Sequence, residues 1–123
     1  MSTVLVVDDK PATRAVVQVV LDAHGHRTLH AGHGQQALEV LGAERPDLVL
    51  SDVVEPELDG YALARLMRSD PTMRAVPVVF YNANYLAEHL GGGSRHRLDR
   101  PSADYAYLHA LVDAVEDALA AVA

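Results

Sequence analysis

Three apolar runs constrain this chain more than any other feature: residues 4–7 (VLVV), 48–50 (LVL) and 78–80 (VVF). Each is continuous and rich in Val and Leu. A strand with one wet face alternates apolar and polar residues, whereas a strand covered on both faces is apolar throughout. The three runs therefore read as central strands of a parallel sheet. Residues 27–31 and 95–98 are more polar and read as edge strands.

Helical patterns fill the intervals. Ala12, Ala15, Val16, Val19, Val20 and Ala23 recur at helical spacing and form the expected buried face of a first helix. Pro11 suits its start and Gly25 its end. A second helix is expected over about 35–44, before Arg45-Pro46, and a third over about 60–68, before Asp70-Pro71. A short fourth helix over about 85–90 precedes Gly91-Gly92-Gly93-Ser94. The fifth has the clearest face, Leu108, Leu111, Val112, Val115, Leu119 and Val122, with Ser102 as its N-cap.

Strand and helix thus alternate five times. That order predicts a doubly wound α/β sheet of five parallel strands and five helices, linked by right-handed crossovers. The 123 residues suit one domain, 1–123, with one core. A formal charge of −7 argues against nucleic acid as a direct partner, because phosphate binding needs a basic surface. The absence of cysteine excludes disulfides and thiolate metal sites and fits a cytoplasmic protein. No apolar run is long enough for a membrane span, and no signal-peptide pattern opens the chain.

In such sheets ligands bind beyond the carboxyl ends of the strands. Asp8 and Asp9 follow the first strand, Asp52 ends the third, Asn82 ends the fourth, and Arg100 follows the fifth. Three carboxylates converging on one edge raise each other's pKa values or require a cation. Hard oxygen ligands suit Mg²⁺, which takes few protein ligands and keeps several waters. An Asp-Asp pair alone is common in turns; acids on two independent strands carry more weight.

These segments resemble the response-regulator receiver domain over the whole chain. The likeness rests on VLVVDDKPATR at the start, PDLVLSDVVEPELDG in the middle, VPVVFYNA at the fourth strand and LDRPS near the end. It implies a flavodoxin-like strand order 2-1-3-4-5. It implies Asp52 as the phosphoryl acceptor, and Mg²⁺ held by Asp9, Asp52 and the backbone carbonyl of Val54, with Asp8 acting mostly through a metal-bound water. A histidine kinase or phosphotransfer protein would supply the phosphoryl group. The family's habit also suggests a homodimer through the fourth helix, fifth strand and fifth helix.

The chain departs from the family pattern at three places. Asn82 replaces the usual Thr or Ser, Arg100 the usual Lys, and Arg97 a frequent aromatic residue. Glu55 stands where an apolar residue is usual and reads as a solvated loop residue. An amide can still donate to a phosphoryl oxygen, and a guanidinium keeps the charge of lysine in a planar shape. A guanidinium cannot be buried cheaply where an aromatic ring would go.

Other signals carry less. The seven histidines, among them His24, His26, His30 and His33, form no helical metal-ligand pair and read as surface residues. The glycine run lacks a phosphate-loop signature. The basic residues Arg95, His96, Arg97 and Arg100 suit a protein partner. The sequence thus supports a signalling switch and not a free-standing enzyme, either alone in its chain or at the front of a longer kinase. The alternative is a pseudo-receiver that docks or dimerises without phosphorylation. A Mg²⁺-dependent phosphatase fits poorly, because its D-x-D spacing is absent from Asp8-Asp9.

Overall fold

A computed structural model describes residues 2–52, 59–81 and 102–121, with side chains of the last stretch described from Leu108 onward. Four parallel strands, β1 (Thr3–Val7), β2 (Arg27–Ala31), β3 (Leu48–Asp52) and β4 (Val78–Tyr81), lie in the order β2-β1-β3-β4. Helices α1 (Pro11–Ala23), α2 (Gly34–Glu44) and α3 (Gly60–Ser69) connect them, and α4 (Ser102–Ala121) closes the chain. The architecture is the expected flavodoxin-like parallel sheet. The expected fifth strand and short fourth helix lie outside the described residues, so the last helix is α4 here.

The apolar runs are buried as expected. Val4 to Val7 and Leu48 to Leu50 have no exposed surface. Strand period two divides them between two layers. Val4, Val6, Leu48, Leu50 and Tyr81 face one layer, with Val17 and Leu21 of α1 and Leu108, Leu111 and Val115 of α4. Leu5, Val7 and Val49 face the other, with Ala37 and Leu41 of α2 and Leu63 and Met67 of α3.

Two expectations require correction. The buried residues of α1 are Thr13, Val17 and Leu21, flanked by partly buried Val16 and Val20. Ala12, Ala15 and Ala23 are exposed, and Val19 is 68% exposed. The i, i+4, i+8 ridge carries the larger side chains, so the helix turns that ridge inward and leaves the alanines in water. His26 is also buried, not on the surface. Its ring donates a hydrogen bond to Glu116 of α4 over 3.1 Å.

Local capping follows elementary chemistry. The Asp59 carboxylate accepts from the Ala62 amide at 2.8 Å and starts α3. His33 caps α2 by accepting from the Gln36 amide at 3.2 Å. Arg45, the residue after α2, adopts a left-handed conformation, with φ of 51°. Among the described residues no helix is long and apolar enough to cross a membrane.

Candidate functional site

The strand order reverses between β1 and β3, because β1 leads outward to β2 on one side while β3 and β4 lie on the other. A crevice opens at the carboxyl ends of two such strands. Asp8 follows β1 and Asp52 ends β3, so the fold puts both at this crevice. Carboxylate oxygens of Asp8, Asp9 and Asp52 lie within 4.8 Å of one another. The structure thus brings together the three acids singled out in the sequence. Val54, Asn82 and Arg100, with Glu55 and Arg97, lie outside the described residues.

The three acids differ in environment. Asp8 is fully buried and Asp52 is 3% exposed, while Asp9 faces solvent. Lys10 Nζ lies 3.5 Å from the Asp9 carboxylate in an exposed pair. The Lys10 amide donates to Asp8 Oδ1 at 2.8 Å, and the Tyr81 hydroxyl donates to Asp8 Oδ2. Burial pushes the Asp8 carboxyl above its ordinary pKa, and the nearby Asp52 charge adds to this. The bonds from Tyr81 and Lys10 oppose the shift without cancelling it.

The surrounding backbone is closely packed. Ser51 Oγ donates to the Asp52 carbonyl at 2.9 Å. Gly60, the first residue of α3, sits where a Cβ would come within 2.6 Å of that carbonyl oxygen. Arg14 of α1 donates to the Asp8 carbonyl. The donor set is all hard oxygen, anionic and partly open to water through Asp9. That combination fits Mg²⁺, and a cation would relieve the repulsion that burial imposes on Asp8.

Sequence reading missed Tyr81 and Arg14. A signal for Tyr81 was present: a tyrosine ending a buried apolar strand must find a partner for its hydroxyl. Arg14 stands six residues after Asp8, on the helix that the crevice leads into; nothing in its spacing marks it.

Comparison with known proteins agrees with this geometry. Protein PilH of Pseudomonas aeruginosa is 35% identical over 79 residues, covering 64% of this chain and 65% of that protein. The chain thus spans just under two thirds of the length of this curated relative. A solved structure from Chloroflexus aurantiacus, 23% identical, shares the fold with a TM-score of 0.73, over 97% of this chain and 98% of its own. The receiver domain of a Pseudomonas aeruginosa sensor histidine kinase, solved with a magnesium ion coordinated in its active-site cleft, is 29% identical. Its TM-score is 0.62, over 78% of this chain and 73% of that one. Residues 4–98 match the response regulator receiver domain, a stretch that runs from β1 past β4 and contains all three acids, and the chain belongs to that family.

Proposed function

We propose that this receiver accepts a phosphoryl group on Asp52 from a phosphohistidine of a histidine kinase or phosphotransfer protein. The observation that carries the reading is the convergence of Asp8, Asp9 and Asp52, from two strands, at the switch point of the sheet. Receiver domains are signalling modules of two-component systems, and Mg²⁺ occupies such a pocket in the kinase receiver described above.

In this reading an Asp52 carboxylate oxygen attacks phosphorus. The bond from phosphorus to the imidazole nitrogen breaks, and the histidine leaves with that electron pair. Asp8, Asp9, Asp52 and the Val54 carbonyl would hold Mg²⁺, which when bound neutralises charge between the carboxylate and the incoming phosphoryl anion. Asn82 and Arg100 would contact the phosphoryl oxygens. Residues 1–123 would act as one receiver domain in the cytoplasm, without direct contact to nucleic acid or membrane. Output would pass through the face of α4 and the segment before it, which would also form a homodimer.

The test is incubation with a small acyl phosphate and Mg²⁺, followed by intact-mass measurement. One added phosphoryl group is expected, lost in Asp52→Asn and on chelation of the metal. No mass gain in the wild-type protein would overturn the reading. It would instead favour a pseudo-receiver that docks constitutively, which the replacements Asn82, Arg97 and Arg100 would suit. Light scattering that shows only monomer with and without phosphorylation would remove the homodimer.

A further inference from the structure

Tyr81 occupies an unusual place for a polar group. It ends β4, is 3% exposed, and belongs to the core formed with Leu108, Leu111 and Val115 of α4. Its backbone is in register with Asp52 on β3. Its hydroxyl reaches past β3 and donates to Asp8 Oδ2, beyond β1. One side chain therefore spans the acidic crevice from beside Asp52 to Asp8, with its ring rooted under α4. A phenylalanine would fill the same apolar space, so the hydroxyl is what sets this residue apart. A phenol donating to a buried carboxylate makes a charge-assisted bond, stronger than one between neutral groups.

We propose that Tyr81 is a positioning residue of the metal pocket, whose hydroxyl orients the Asp8 carboxylate and whose ring ties that carboxylate to the packing of α4. The proposal rests on reading the acidic cluster as a Mg²⁺ site. The terminal torsion of an aspartate is broad, so packing alone does not hold its oxygens in one direction. Here two donors from different elements hold them: the Lys10 amide, just before α1, at Oδ1 and the Tyr81 hydroxyl, at the end of β4, at Oδ2. Mg²⁺ demands near-octahedral geometry and tolerates misdirected oxygens poorly. Hydrogen-bond partners of metal-binding carboxylates matter to affinity for this reason. The same bond has a second consequence. Any turn of Asp8 on cation binding must move or break the Tyr81 contact, and Tyr81 lies in the core layer that holds Leu108, Leu111 and Val115 of α4.

The experiment compares wild-type protein, Tyr81→Phe and Asp52→Asn by Mg²⁺ calorimetry, together with amide NMR spectra of α4. Tyr81→Phe keeps the ring and should stay folded, with Mg²⁺ affinity about tenfold weaker. Amide shifts of Leu108 to Val115 on Mg²⁺ addition should shrink in that variant at saturating metal. A ring signal of Tyr81 in the wild type should move with the same midpoint as the calorimetric binding, a readout that needs no variant to fold. Wild-type affinity in Tyr81→Phe, or a Tyr81 ring signal unmoved by Mg²⁺, would overturn the proposal while leaving the metal site intact. Absence of Mg²⁺ binding in the wild type, unchanged in Asp52→Asn, would overturn the metal site itself and this proposal with it.

Discussion

Gly60 and Asp52 meet so closely that α3 can begin only with a residue lacking a side chain: a Cβ at Gly60 would lie 2.6 Å from the Asp52 carbonyl oxygen and 3.1 Å from both Phe80 and Ser51 Oγ. The start of the helix is thus packed directly beneath the proposed acceptor. The neighbour at 2.6 Å is backbone, which cannot rotate away. Gly60→Ala is expected to destabilise the protein by about 1–3 kcal/mol, the usual cost of overpacking a core. Urea denaturation followed by circular dichroism measures it; an unchanged midpoint would show that β3 and α3 separate freely.

The acidic cluster should bind Mg²⁺ through more than one of its members. Asp9→Asn and Asp52→Asn are each expected to weaken Mg²⁺ binding by more than about tenfold, since even indirect supports of a metal site have effects of that order. Calorimetry at constant ionic strength checks this. Equal affinity in both variants and the wild type would show that the cluster is not the binding site.

Asp8 gives a stability that depends on pH in a specific direction. Its folded pKa is raised, chiefly by burial, above the ordinary 3.8. The native state therefore holds the proton more tightly than the unfolded chain. In the absence of metal, this group's contribution to stability falls as pH rises from 3.8 through the raised folded value, and its charge is a full penalty above that. Metal-free Asp8→Asn is expected to be more stable than the wild type at neutral pH, and the difference should shrink on acidification through this window. Thermal unfolding of both proteins across that range is the measurement. A difference that grows on acidification would contradict the assignment.

His26, just before β2, and Glu116 of α4 link the turn after α1 to the last helix. The His26 side chain is 7% exposed, its Nε2 is engaged by Glu116, and its buried Nδ1 meets no hydrogen-bond partner among the described residues. Glu116→Ala would leave both ring nitrogens short of partners. Water reaches the half-exposed Glu116 position, so a cost of about 1 kcal/mol is expected, the low end for a stranded polar group. His26→Leu, which removes the unmet nitrogens, should cost less than Glu116→Ala. The reverse order in denaturant midpoints would show that the imidazole packs more tightly than its hydrogen bonding suggests.

The sequence by itself determined the four described strands, the order of strand and helix through β4, and the edge on which the acids gather. Continuous apolar runs such as 48–50 specify a strand covered on both faces, and a carboxylate placed just after such a run must emerge at its carboxyl end. Those signals are local and survive without knowing any neighbour. Only the tertiary structure decided which face α1 buries, because Val16, Val17, Val19, Val20 and Leu21 surround most of that helix and the periodicity admits more than one inward ridge. Only it paired His26 with Glu116 and Tyr81 with Asp8, residues 90 and 73 positions apart. Such contacts depend on strand order and register, which leave only β3 between Tyr81 and the acid it holds. A hydroxyl on a buried strand announces that a partner exists, and the fold alone supplies which one.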